Sequence, residues 1–206
     1  MNVVALLNKK GGVGRTTIAV NLAVALQKRG HAPLLLDTDQ QGSIQSWANR
    51  PDDAPAILTA SKPNIHEKLP LVAEEYDFAV IDTPAGAGDF PKSAAKAADL
   101  VLMPIRPSAF DVWSAQQAIN VVRDLDLANP PTIRLVISQQ IVGTKLASNI
   151  GDTIDQLDVD ALDARTSMRV AYQKAQGHSY SVFDLEDKKA QAEMRAVVDE
   201  VLTLLE

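Results

Sequence analysis

The residues with the clearest capacity for chemistry are at positions 8–17, Asn-Lys-Lys-Gly-Gly-Val-Gly-Arg-Thr-Thr. Gly11, Gly12 and Gly14 let successive backbone N–H groups turn toward an anion. A helix starting near Gly14 or Arg15 adds the positive end of its dipole. Thr16, at the head of that helix, is placed to put a hydroxyl on a magnesium ion beside phosphates. Carboxylates answer this loop downstream. Asp37 and Asp39 follow the apolar run from Pro33 to Leu36, and Asp82 follows Phe78-Ala79-Val80-Ile81. A rigid apolar strand ending in an acid holds a carboxylate at its tip, able to bind magnesium through water. Asp37 and Asp39 could instead cap a helix starting at Ser43. A capping role for Asp82 leaves the glycine loop upstream unexplained.

These side chains need a scaffold, and the hydrophobic pattern supplies one. Val3 to Leu7 reads as a strand entering the loop. Ile18, Leu22, Ala25 and Leu26 give helical spacing from Ile18 to Arg29, stopped by Gly30. Pro33 to Leu36, Phe78 to Ile81 and Asp99 to Pro104 are continuous apolar runs, the pattern of strands buried on both faces of a parallel sheet. A short strand is expected at Ala56 to Thr59, a helix from Ile65 to Glu75, another from Ser114 to Leu127, and a last strand at Thr132 to Ser138. From Lys145 onward the tail reads as helical. Its final helix carries an apolar stripe (Val197, Val198, Val201, Leu202, Leu205) and an acidic polar face (Glu193, Asp199, Glu200, Glu206). Such a helix packs on the core; a membrane-surface helix would be basic. Strands alternate with helices, so residues 1–206 are expected to form a single α/β domain, a mostly parallel sheet flanked by helices on both faces. In such sheets ligands bind at the C-terminal ends of the strands, where the three carboxylates lie.

Composition narrows the classes further. The chain has 206 residues, 46% of them hydrophobic, which suits one well-buried domain. It has no cysteine, which excludes disulfides, zinc-thiolate sites and iron–sulfur clusters. With no signal-peptide pattern and no run of about 18 apolar residues, a cytoplasmic protein with no membrane association is expected. The formal charge of −6 is unlike that of a strong free-standing DNA binder, although a local basic patch completed by dimerisation remains compatible with it.

Lys10 to Thr17, KGGVGRTT, resembles the deviant Walker A motif of the ParA/MinD family of ATPases. The resemblance implies a P-loop NTPase fold that binds ATP and Mg²⁺ through Lys10, Gly11, Gly12, Val13, Gly14, Arg15, Thr16 and Thr17. It also implies that Lys10 reaches across a homodimer interface to the partner's nucleotide. Arg15 stands where the family has lysine; a planar fork replaces a compact point charge, and slower turnover is the expected consequence. Asp37-Thr38-Asp39-Gln40-Gln41-Gly42 resembles the family's DxDPQG, which gives Asp39 the attacking water and Asp37 a place in the magnesium shell with Thr16 and Asp82. Thr83 to Gly88 resembles the γ-phosphate-sensing switch. Pro104 to Asp111 matches PxxPSxxD, a segment that in relatives lies beside the adenine and near the dimer interface, which implicates Pro107, Ser108 and Asp111. Arg165-Thr166-Ser167-Met168-Arg169 resembles the family's C-terminal segment, where arginines on successive helices contact DNA without reading sequence. Arg165, Arg169, Lys174 and Lys188 are the candidates, with Lys189 and Arg195 behind them; isolated basic residues on helices can equally be solvated or paired with acids.

The function so implied is ATP-dependent dimerisation, non-specific binding of double-stranded nucleoid DNA, and positioning of a plasmid, chromosome region or protein organelle such as a carboxysome. A ParB-like or adaptor protein would stimulate hydrolysis. Because the loop begins at residue 8, the resemblance is to small members lacking an N-terminal DNA-binding extension. Two alternatives stand beside it: a metabolic P-loop ligase of the dethiobiotin synthetase type, and a nucleotide-binding scaffold that hydrolyses negligibly because of Arg15.

Overall fold

The structure is a computed structural model that describes residues 1–39, 44, 51–144, 151, 154–178 and 180–206. Seven parallel strands form one sheet in the order β3-β2-β4-β1-β5-β6-β7. They are β1 (Asn2–Leu6), β2 (Pro33–Asp37), β3 (Ala56–Thr59), β4 (Phe78–Asp82), β5 (Leu100–Ile105), β6 (Thr132–Gln140) and β7 (Ala161–Ser167). The central strands β2, β4 and β5 are buried at every position, as their unbroken apolar runs require.

Helices cover both faces. On one side pack α1 (Arg15–Gln27), α5 (Val170–His178) and α6 (Lys188–Leu205); on the other pack α2 (Ile65–Lys68), α3 (Asp89–Ala97) and α4 (Ala109–Arg123). Residues 18–26 of α1 are all buried, because it lies between the sheet and α6. Its one polar residue there, Asn21, donates to the Thr17 carbonyl and accepts from the Val182 amide. On α6, Val197, Val198 and Val201 are fully buried, with Leu202 and Leu205 packed against the same core.

The structure corrects three expectations. The helix expected at Ile65 to Glu75 is α-helical only to Lys68 and continues as a 3-10 turn, Leu69–Val72, because Pro70 has no N–H to extend the α pattern. The helix expected from Ser114 begins five residues earlier, at Ala109. The tail is not helical throughout: Ala161–Ser167 is a seventh strand, so Arg165 lies on a sheet edge and Arg169 in the turn after it. The acidic face of α6 is also not wholly solvated. Glu200 accepts the amides of Asp163 (2.9 Å) and Ala164 (2.6 Å), and Glu193 accepts that of Ser167. These carboxylates take the place of a neighbouring strand along an otherwise open edge. Gln40, Gln41, Gly42, the expected helix start at Ser43 and the expected tail start at Lys145 lie outside the described residues.

Candidate functional site

The glycine loop joins β1 to α1 at the C-terminal edge of the sheet. Gly12 (φ 70°) and Gly14 (φ 94°) adopt left-handed backbone that a larger residue would strain. Gly14 is the N-cap of α1, and a Cβ built on Gly11 or Gly12 would meet no atom within 4 Å. Open space therefore borders the loop where Gly11 and Gly12 lack side chains. Asn8 braces its near wall: its side chain donates to the Pro104 carbonyl (2.8 Å) and accepts from the Lys10 amide (2.9 Å) and the Ser114 hydroxyl (3.1 Å). Ser138 braces the far wall by donating to the Val13 carbonyl at 2.6 Å, and Gln139 donates to the Gly12 carbonyl.

Arg15 lies across the loop's base. Its guanidinium donates to the carbonyls of Asn8 (2.8 Å), Lys10 (2.6 Å) and Thr83 (2.9 Å), so one side chain ties the loop to the turn that follows β4. Burial draws its pKa below the ordinary arginine value, against the opposing charges of Asp82 and Asp39.

Asp37 and Asp82 sit in register at the tips of β2 and β4, and they are used differently. Asp37 accepts the amides of Asp39 (3.0 Å) and Ile44 (3.1 Å), which shapes the start of the loop after β2, much as a cap would. Asp82 is 1% exposed, and neither of its carboxylate oxygens has a hydrogen-bond partner. Burial pushes its carboxyl up to about 7; the neighbouring Thr16 hydroxyl and Arg15 charge pull it back, while Asp37 and Asp39 add to the rise. An unpartnered buried carboxylate beside a threonine hydroxyl at the head of the helix that leaves the glycine loop fits a hard oxygen-seeking cation shared with phosphate. Asp39 is half-buried, close enough to bear on Arg15.

Lys10 makes a contact within its own chain. Its ammonium lies 2.7 Å from buried Asp111, which also pairs with Arg106 at 3.1 Å. Burial alone would raise the Asp111 carboxyl, but the hydrogen bonds from Lys10 and Arg106 outweigh it and hold it below the ordinary aspartate value. Pro107 and Ser108 are half-buried at the entry to the same helix, with Phe110 and Trp113 exposed beyond them.

Next to the loop is a cavity of about 350 Å³. It is lined by Thr16 and Thr17 at the head of α1, by Ser138, Gln139 and Thr166 to Arg169 at the ends of β6 and β7, and by Tyr172, Gln173 and Gln176 of α5. The expected base-side residues Pro107, Ser108 and Asp111 do not line it. Instead, Gln176 bridges to the Thr17 hydroxyl at 3.0 Å, and Gln139 takes left-handed backbone (φ 53°) where its amide meets Thr166. The turn from β7 into α5 is gathered on Glu193. This carboxylate accepts from the Ser167 amide (3.1 Å) and hydroxyl (2.7 Å), Arg169 Nε (2.8 Å) and the Tyr172 hydroxyl (3.0 Å). Burial would raise its pKa, but these donors prevail and lower it; hydrogen bonding to Glu193 raises that of Arg169, and burial raises that of Tyr172. Of the expected DNA contacts, Arg165, Lys174 and Lys188 are exposed, and Arg169 is half-buried and paired with Glu193. Gln139, Tyr172, Gln176 and Glu193 carry no local motif that marks them in the sequence, and Asn8 stands at the head of the glycine stretch with nothing there to show its bracing role.

The chain also matches a protein-family model. Residues 4–177 fit the CobQ/CobB/MinD/ParA nucleotide binding domain. The chain belongs to the ParA/MinD family. At the level its members share, it is a ParA/MinD-type ATPase with a single seven-stranded P-loop domain. Maintenance of carboxysome distribution protein A of Halothiobacillus neapolitanus is 28% identical over 206 residues, covering 96% of this chain and 95% of that protein. The protein of the same description from Gloeobacter kilaueensis is 31% identical over 208 residues, covering 97% and 93%. The fold of this ParA/MinD member superimposes on the MinD cell division protein of Aquifex aeolicus with a TM-score of 0.81 at 18% identity, covering 98% of this chain and 97% of that one. No helix among the described residues is long and apolar enough to cross a membrane.

Proposed function

We propose that this ParA/MinD-type ATPase forms an ATP-dependent homodimer, binds nucleoid DNA without sequence preference, and positions a cargo. An adaptor or ParB-like protein stimulates hydrolysis and releases the dimer from DNA. The likeness over nearly full length to two carboxysome-distribution proteins makes a carboxysome the favoured cargo over a plasmid or chromosome region.

The observation that carries the ATPase reading is Asp82, a buried carboxylate without a hydrogen-bond partner, acted on by Thr16 and Arg15 at the head of the helix that leaves the glycine loop. Magnesium, when bound, would neutralise phosphate charge there, and Thr16 and Asp82 would hold it, with Asp37 in support. Backbone amides from Gly11 to Thr16 bind the phosphates, and the positive end of α1 favours their charge. Asp39 orients the attacking water. Arg15 exchanges some of its carbonyl contacts for phosphate oxygens, which makes turnover slow. Phosphoryl transfer is then mostly positioning and charge stabilisation by these groups. The base occupies the cavity beside Thr17, between Gln139 and α5. Lys10 leaves Asp111 to reach the partner's nucleotide, so Asp111 holds the crossing lysine at home until a second subunit arrives.

The test is binding to random-sequence duplex DNA with ATP–Mg²⁺, with ADP, and without nucleotide, over a salt series. Binding is expected only with ATP, weakening steeply as salt rises because phosphate contacts release counterions. Lys174→Ala and Lys188→Ala would each flatten that salt dependence. ATP-driven dimerisation with no DNA binding at any salt would overturn the DNA-positioning function and leave a nucleotide-binding scaffold.

A further inference from the structure

We propose that Glu193, on α6, is the residue that positions the base end of the nucleotide site, a role that rests on reading the cavity beside Thr17 as the base seat. Glu193 does not line that cavity, yet Ser167, Arg169 and Tyr172 all do, and all three donate to its carboxylate. Both oxygens are engaged: Oε1 takes the Ser167 hydroxyl and Arg169, while Oε2 takes the Ser167 amide and the Tyr172 hydroxyl. A carboxylate gripped on both oxygens is fixed in rotation, and it fixes its donors in turn. The side chain is only 15% exposed, so little water competes for these bonds. Glu193 thus sets the turn leaving β7, the ring of Tyr172 and the reach of Arg169 together. The same cavity is lined by Gly12, Gly14, Thr16 and Thr17 of the phosphate loop, which has braces of its own in Asn8, Ser138 and Arg15.

The fold contains its own control. Glu200 lies on the same helix and accepts two β7 amides in the same manner, but the residues it holds, Asp163 and Ala164, do not line the cavity. A purely structural role for Glu193 predicts that the two glutamates behave alike. A positioning role predicts that only Glu193 matters to the base.

The experiment measures affinity for ATP and for inorganic tripolyphosphate, each with Mg²⁺, in the full chain and in Glu193→Gln, Glu200→Gln and Tyr172→Phe. The expected result is an about tenfold loss for ATP in Glu193→Gln, equivalent to roughly 1.4 kcal/mol, with tripolyphosphate affinity unchanged. Glu200→Gln should leave both affinities unchanged. Tyr172→Phe keeps the ring and removes one donor, so it should give a smaller loss of the same kind and does not depend on Glu193→Gln folding well. Equal weakening of both ligands by Glu193→Gln, or equal ATP losses in the two glutamate variants, would overturn the proposal and leave the base seat intact. An unaltered protein that binds ATP no better than tripolyphosphate would overturn the base seat itself.

Discussion

Asp82 and Glu193 are both carboxylates shielded from water, at opposite ends of one site, and the chain treats them in opposite ways. Asp82 closes the phosphate end with two buried oxygens that make no well-formed hydrogen bond, and its carboxyl is pushed up to about 7 although Thr16 and Arg15 ease it. Glu193 stands behind the base end, accepting four hydrogen bonds from residues that line it, and its carboxyl lies below the ordinary glutamate value in spite of burial. An unsatisfied buried charge costs stability and is kept where a ligand will supply the missing partners. A satisfied one has finished its work within the fold and serves as an anchor. The phosphate end is therefore built to be completed from outside, and the base end to be complete already.

The largest test of this contrast is Asp82→Asn. In the nucleotide-free protein it should raise stability by about 1–3 kcal/mol, because it removes a carboxylate that burial and the charges of Asp37 and Asp39 disfavour more than Thr16 and Arg15 relieve. With ATP–Mg²⁺ it should lower hydrolysis by about 100-fold or more, since a metal contributes several kcal/mol of transition-state stabilisation. Urea unfolding in chelator alongside phosphate release would show the two opposed signs. A loss of stability without nucleotide would mean that Asp82 has a structural partner after all.

Glu193→Gln should act in the opposite sense, destabilising the nucleotide-free protein by about 2–3 kcal/mol as charge-assisted bonds are lost. The pH dependence has a definite sign. The folded carboxyl is lowered from the ordinary 4.5, so its contribution is fully present above that pH and disappears as pH falls through the folded value. Urea midpoints of the two proteins should differ by a constant amount from pH 7 to about 5 and converge on further acidification. A gap that persisted at the acid limit would show that shape, not charge, is what Glu193 supplies.

Arg15→Lys comes next. Three carbonyls engage the guanidinium, and an ammonium cannot span them with the same planar fork. A loss of about 1–2 kcal/mol is expected without nucleotide. It should shrink under saturating ATP–Mg²⁺, where phosphates hold the loop instead. Calorimetric melting with and without ligand measures both values.

The difference between the two ends also explains what could be read from the chain. At the phosphate end the code is local. The Gly11, Gly12 and Gly14 spacing, the strand before it and the acid after Phe78–Ile81 are each contiguous, and they name the loop, its helix and Asp82 directly. The base end is assembled from residues far apart: Gln139 meets Thr166 across 27 positions, and Gln176 meets Thr17 across 159. Strand β7 escaped notice because its residues, ALDARTS, alternate small and charged side chains with little β-branching. Its open edge is satisfied by Glu193 and Glu200, whose spacing on α6 looks from sequence like a solvated acidic face. Local pattern marks where a helix has a polar stripe; it does not say that an edge strand's amides will claim part of it. The Lys10–Asp111 pair was hidden for a similar reason, since both residues stand in motifs whose resemblance assigned them other work.

The smallest effect tests a side-chain bond that links α5 to the head of α1 beside the cavity. Gln176 donates to the Thr17 hydroxyl at 3.0 Å in an exposed position, so water can replace either partner. Gln176→Ala should change stability by no more than about 0.5 kcal/mol, because an exposed neutral bond contributes little net. Its consequence should be kinetic instead. With the bridge gone, a nucleotide seated between the two walls loses one closure, and release of a fluorescent ATP analogue in stopped flow should quicken by about two- to threefold with the association rate little changed. Unchanged release with unchanged stability would mean that the two ends already act independently and that Gln176 closes nothing. A large stability loss would mean that they are more tightly joined than one exposed hydrogen bond allows.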